Sequence, residues 1–189
     1  MERFFFARGA SHLFEDETPT RCFSALRQCL QGGSRGLCIS RTHPDRLKEE
    51  YSLDNVEFVW VAKVEAIPGA TVVPPEQMLR LYSIITEFVR SAPETVVMMD
   101  CLEYLIVQND FRAILKLLQL VNEQVTIYKS LLLVYIKSDV LDPKDVALLS
   151  REIVPHTTHA AKSMMHRLLP SQPRSGELRS QLFSLSAQL

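Results

Sequence analysis

The sequence predicts an α/β domain with a mostly parallel, doubly wound sheet, followed by a C-terminal helical tail. Three observations lead there. Short, near-continuous apolar runs recur along the chain, as strands covered on both faces require. Between them lie stretches with apolar residues at helical spacing. Proline and glycine punctuate the junctions.

In chain order, a helix is expected over Pro19–Leu30. It opens on proline, carries Phe23, Leu26 and Leu30 at helical spacing, and stops at Gly32-Gly33. Gly36–Ser40 reads as a short buried strand, Pro44–Tyr51 as a polar helical connector, and Val56–Val64 as the next strand, carrying Trp60. Thr71–Val73 is a short extended piece before Pro74-Pro75. Those prolines open an amphipathic helix with Met78, Leu79, Tyr82, Ile85, Phe88 and Val89 on one side. Thr95–Met99 is a third core strand, and Leu102–Val107 a short helix after it. Asn109 is placed to cap a longer helix running to about Val121. Ser130–Ile136 is a fourth core strand, and a turn at Asp139–Pro143 leads into a helix from Lys144 to about Glu152.

Composition shifts after Pro155, which divides the chain into a domain over residues 1–154 and a tail over 155–189. Thr157–Leu169 has a helical stripe of Ala161, Met164, Met165 and Leu168, and the breaker-rich Pro170–Gly176 follows as a linker. Glu177–Leu189 then sets Leu178, Leu182, Leu185 and Leu189 on one face. A helix of that length is marginal alone in water, so its stripe must dock. It docks either on a partner, a second copy included, or on its own domain.

The 189 residues, 47% hydrophobic and 23% charged, are enough for one domain with a sizeable core. A formal net charge of −1 gives no overall field toward nucleic acid or an anionic membrane. Runs such as Leu131–Ile136 are too short to span a bilayer, and Phe4–Phe6 is too short for a signal-peptide apolar region. The chain is therefore expected in the cytoplasm. Cys22, Cys29, Cys38 and Cys101 contain no C-x-x-C pair and are expected as buried, reduced thiols.

The chemically suggestive stretch is Thr95–Phe111, where an apolar strand ends in Asp100 and a helix follows at once. In nucleotide-hydrolysing α/β domains of the RecA kind, such a strand delivers the acidic residue that steers magnesium. That chemistry also needs a phosphate loop, G-x-x-x-x-G-K-[ST], and the chain has none. Asp100 and Glu103 lie where open α/β sheets place ligands, and Arg41 also follows a strand end. Two readings stand for them. In one, Asp100 and Glu103 are a relic metal or nucleotide site and Arg41 binds an anion, so that the three hold a nucleotide or other small anion. In the other, Asp100 caps the next helix, Glu103 completes a local polar cluster and Arg41 pairs with Asp100. Tyr104 is expected as a packed aromatic.

His156, His159 and His166 lack a cysteine or carboxylate at a metal-site spacing, so no metal is expected. Ser163 and Cys22 have no visible base partner, so no catalytic residue is assigned. Lysines and arginines are dispersed, and no aromatics interleave with Arg167, Arg174 and Arg179, so nucleic acid is not an expected partner.

Five pieces in register resemble the archaeal and bacterial family called "domain of unknown function 835". They are Gly9-Ala-Ser-His-Leu-Phe-Glu15, Gly36-Leu-Cys-Ile-Ser-Arg41-Thr-His-Pro44, Phe58-Val-Trp60-Val, Val96-Val-Met-Met-Asp100-Cys-Leu-Glu-Tyr-Leu-Ile106 and Val146-Ala-Leu-Leu-Ser-Arg-Glu152. Together they span about residues 5–153. Cys101 stands where the family usually has glycine, and His12 where it often has tyrosine. The resemblance implies a RecA-like α/β fold without its phosphate loop, often beside sensory and signalling modules, and it implies no catalytic mechanism and no cofactor. The expected function is thus a non-enzymatic signalling or protein-interaction module that self-associates. The alternative is a small-anion or nucleotide sensor without hydrolysis.

Overall fold

A computed structural model describes residues 2–65, 70–138 and 140–156. The tail expected to be helical, with Leu178, Leu182, Leu185 and Leu189 and with His159, Ser163 and His166, lies outside the described residues. The unit Met1–His156 runs β1 (Ala10–Asp16), α1 (Thr20–Gln31), β2 (Arg35–Ser40), α2 (Pro44–Tyr51), β3 (Val56–Val61), β4 (Thr71–Val73), α3 (Met78–Ser91) and β5 (Thr95–Met99). It continues through α4 (Leu102–Gln108), α5 (Phe111–Ile127), β6 (Leu131–Lys137), α6 (Pro143–Glu152) and β7 (Val154–Pro155). All strand pairs are parallel, in the order β4-β3-β2-β5-β6-β1-β7.

Side-chain alternation along the central strands builds two cores. In β6, Leu131, Leu133 and Tyr135 face the layer of α1 and α2, where Phe23, Leu26 and Leu47 are buried. Leu132, Val134 and Ile136 face the opposite layer, with Leu81 and Ile85 of α3, Leu105 of α4 and Leu118 of α5. Val96 and Val97 of β5 divide in the same way. Covering both faces is what makes these strands read as unbroken apolar runs. Gly36 permits the close approach of α1, since a Cβ there would meet Leu30 Cδ2 at 2.7 Å.

Two strands were not anticipated. β1 carries Ser11 and His12 near its start, both buried, which shortens the apolar run. It is nevertheless paired along its whole length, from Ala10 opposite Leu131 to Asp16 opposite Lys137. β7 is only two residues long and joins β1 at the sheet edge. The strand expected over Val56–Val64 ends at Val61, and the helix expected to finish near Val121 continues to Ile127.

A further correction concerns the start of α5. Its cap is Asp110, whose carboxylate accepts the Ala113 N–H at 2.7 Å. Asn109 is occupied elsewhere: its Nδ2 donates to the carbonyls of Leu105 and Pro75, closing α4 and tying it to the entry of α3.

All four cysteines are free; Cys22, Cys38 and Cys101 are buried and Cys29 is half-buried. Burial raises all four thiols above their ordinary range. No helix among the described residues is long and apolar enough to cross a membrane.

Candidate functional site

The site follows from the winding of the chain. After β2 the chain enters α2, on one face of the sheet, and moves outward to β3. After β5 it enters α4, on the other face, and moves the opposite way to β6. The adjacent carboxyl ends of β2 and β5 therefore diverge into a crevice, the usual ligand position in open α/β sheets. Arg41 follows β2 directly, Asp100 follows β5, and Glu103 and Tyr104 sit in the first turn of α4. With Val107 and Gln108 they line an open depression of about 470 Å³.

Within it, the guanidinium of Arg41 stacks on the ring of Tyr104, 4.3 Å from its centre. The indole N–H of Trp60, on β3, donates to the Arg41 carbonyl at 2.9 Å and holds the backbone beneath. The expected ion pair between Arg41 and Asp100 is not formed, because the aromatic face takes the guanidinium instead.

Asp100 does not cap the following helix either. The residue at that position is Cys101, and no side chain caps α4. The Asp100 N–H is bound to the Ile39 carbonyl at 3.1 Å, continuing the β2–β5 ladder. The Ser40 hydroxyl, at the end of β2, donates to the Asp100 carboxyl. Its Oδ1 is shut away from solvent with no hydrogen-bond partner. Burial lifts the Asp100 pKa from 3.8 to about 6; the Ser40 hydroxyl opposes the rise and the Glu103 charge adds to it. Glu103 commits Oε1 to the Lys137 N–H at 2.6 Å, fastening α4 to the end of β6.

Ser40, a polar residue closing an apolar strand, was not singled out in the sequence, although its place beside Asp100 follows from the strand order. Val107 and Gln108 were likewise missed, and their only signal is their place one turn beyond Glu103 on α4.

A different chemistry occupies the junction of β1 and α1. Only Glu17, Thr18 and Pro19 separate the two elements. Nη1 of Arg21 contacts both carboxylate oxygens of Asp16, at 2.9 and 2.8 Å, and the same guanidinium holds Glu2. A helix N-terminus ordinarily favours an anion. Here the Asp16 carboxylate occupies the approach and Arg21 is already engaged.

His156 follows β7 and its N–H donates to the Leu13 carbonyl at 2.7 Å. Its ring lies among those of Phe4, Phe6, Phe14 and His12. Among the described residues no group of three or more histidine, cysteine, aspartate or glutamate side chains is arranged to hold a metal ion. Cys22 is fully buried with its thiol raised by burial, the opposite of an activated nucleophile.

The family model described as "Protein of unknown function (DUF835)" matches residues 16–153. No match was found among curated proteins. Two solved structures from Pyrococcus horikoshii OT3 share the fold. The protein of Project ID PH0250 is 16% identical, with a TM-score of 0.53 over 78% of this chain and 80% of its own. The KaiC-like protein PH0186 is 14% identical, with a TM-score of 0.52 over 70% of this chain and 65% of its own. At these identities the likeness concerns the fold alone, a RecA-like α/β sheet.

Proposed function

The chain belongs to the DUF835 family of proteins of unknown function, and from that premise we propose that it is a non-enzymatic recognition module. In this reading it serves signalling or protein interaction, and it self-associates. The observation that carries the reading is the β1–α1 junction. Nucleotide-hydrolysing relatives of this fold hold phosphates on a glycine-rich loop with a lysine. Here the junction is the three-residue turn Glu17-Thr18-Pro19 beside the Asp16–Arg21 ion pair. Its local charge opposes a triphosphate, and phosphoryl transfer depends on a positive clamp.

Calorimetric titration with ATP and GTP, with and without magnesium, run beside a phosphate-release assay, tests this. No heat and no released phosphate are expected. Turnover lost on Asp100→Asn would overturn the reading. Deleting residues 177–189, and with them the leucine stripe, is expected to change the assembly state in sedimentation; an unchanged state removes the self-association part.

A second reading is favoured by one specific observation, the unpartnered Oδ1 of Asp100 in a depression that also presents Arg41. On this reading the protein senses a small ligand without hydrolysing it. It requires saturable binding that Asp100→Ala or Arg41→Ala abolishes while the domain stays folded.

A further inference from the structure

We infer that the segment Glu2–Arg8 is an exchangeable arm, and that the groove it occupies on α1 receives the same segment of a second copy of this chain. The inference rests on the self-association part of the reading above and assigns it a contact.

The arm is gripped by side chains of α1. Gln28 clamps the Phe4 backbone, its Nε2 donating to the carbonyl at 2.6 Å and its Oε1 accepting the N–H at 3.0 Å. The Arg21 guanidinium holds the Glu2 carboxylate, and the buried Phe4 ring packs edge-on to that of Phe14. Farther on, the chain is fastened at Gly9, whose N–H donates to the Ser130 carbonyl at 2.8 Å and whose carbonyl accepts the Thr126 hydroxyl at 3.2 Å. Gly9 has a φ of +79°, which turns the arm off the line of β1 and leaves the exposed Ala7 and Arg8 as a short hinge. Extended, Glu2–Arg8 spans at most about 25 Å, enough to reach the α1 of a copy packed against this one.

The grip of α1 is the same whether the arm is the chain's own or that of a second copy. Those contacts cancel between the two forms, so the balance falls to the hinge and to newly covered surface. The closed arm leaves Phe5 85% exposed, beside an open depression of about 490 Å³ that Arg3 and Gln31 also line. A second copy lying across α1 covers this ring, and a short hinge favours exchange over closure. Release is eased from beneath as well. The ring centres of Phe6 and His12 are 4.7 Å apart, and both His12 nitrogens are buried without a hydrogen-bond partner. An unbonded buried polar group is costly, and lifting Phe6 returns water to it.

The test mixes two full-chain variants, Phe5→Cys and Gln31→Cys, changed at exposed positions that line the same depression. The mixture is equilibrated and mildly oxidised, and the cross-linked heterodimer is read on a non-reducing gel. One control pairs Phe5→Cys with Glu49→Cys, at an exposed position of α2 outside the depression, and another pairs it with wild type to register the half-buried Cys29. About tenfold more heterodimer than in either control is expected, because a seated arm holds the two thiols at a millimolar effective concentration. Equal yields mean random collision and overturn the inference. Sedimentation of a chain with Gly-Ser-Gly inserted between Ala7 and Arg8, which keeps every residue of arm and groove, is the second measurement. The longer hinge eases closure on the chain's own groove, so dimer is expected to shift to monomer. A dimer unchanged by the insertion overturns the exchange and leaves self-association standing. A wild-type chain that stays monomeric up to millimolar concentration takes both down.

Discussion

The Arg41 guanidinium lies 4.3 Å from the centre of the Tyr104 ring, one turn of α4 from a carboxylate that lacks it. Two residues that follow neighbouring strands, Arg41 after β2 and Asp100 after β5, thus share a crevice without pairing. The Tyr104 ring takes the guanidinium, while burial is what raises the Asp100 pKa to about 6.

Replacing Tyr104 by leucine removes the face on which Arg41 rests. The guanidinium then swings toward Asp100, and an opposite charge within a few ångströms favours the ionised carboxyl. The Asp100 pKa is expected to fall by about one unit or more, with a loss of stability on the order of 1 kcal/mol from the lost stack and packing. A ¹³C-detected titration of the Asp100 carboxyl reads this directly. A pKa that stays near 6 in the leucine variant means Tyr104 does not control the pair.

Stability against pH carries two opposing signatures. The folded protein raises the Asp100 pKa from 3.8 to about 6, so it binds that proton more readily than the unfolded chain. Acidification from pH 6 to 4 therefore stabilises through Asp100, and the gain is lost as pH rises back through 6. His12 is 8% exposed, and burial, with the His156 charge, lowers its pKa from 6.5 to about 4. Its contribution is present above pH 6.5 and is lost as pH falls toward 4.

Asp100→Asn separates the two effects. It is expected to stabilise at pH 7.5 by on the order of 2 kcal/mol, with an advantage that shrinks to nothing near pH 4. His12→Leu is expected to flatten the acid loss instead. Urea unfolding at four pH values between 7.5 and 4 checks both, and parallel pH curves for wild type and the asparagine variant would exclude the assignment to Asp100.

What the sequence disclosed, and what it hid, follows from where each partner sits. β2, β5 and β6 were legible because both their faces are covered, so every residue from Val96 to Met99 and from Leu131 to Ile136 is buried. β1 was not, because its Ser11 hydroxyl is satisfied from far along the chain: it donates to Asn122 Oδ1 on α5 at 2.6 Å. A buried polar group with so remote a partner looks like a loop residue in sequence. Arg41, Asp100 and Glu103 could be found because strand-to-helix junctions are visible locally. Their mutual orientation could not, since the Arg41–Tyr104 stack and the Glu103 bond to the Lys137 amide are tertiary choices.

The start of α5 shows the same limit at short range. Asn109 and Asp110 are both good capping residues, and only the pull of the Pro75 carbonyl on Asn109 decides between them. Asp110→Ala is expected to cost about 1 kcal/mol and to speed amide exchange in the first turn of α5. Asn109→Ala should leave that turn protected and loosen the α4–α3 connection. Exchange measured residue by residue distinguishes them, and equal effects on the first turn of α5 would contradict the assigned cap.

The junction of β1 and α1 sets the last expectation. Arg21 is mostly shielded, 19% exposed in its side chain against 18% for Asp16, so their pair is screened less by salt than a free surface pair. Truncating Arg21 to alanine leaves Asp16 unpaired at the mouth of α1 and releases Glu2. The cost is expected to be on the order of 1–2 kcal/mol, between the values for exposed and buried pairs. Gln28 still grips the backbone of Phe4 through two hydrogen bonds, at 3.0 and 2.6 Å, so the N-terminal segment should stay docked at Phe4 while loosening at Glu2. A double-mutant cycle with Asp16→Asn isolates the pair, with an expected coupling near 1 kcal/mol that persists in 0.5 M salt. A coupling near zero would mean that the ion pair does not hold the turn. The charge argument against phosphate at this junction would then rest on the carboxylates of Asp16 and Glu17 alone.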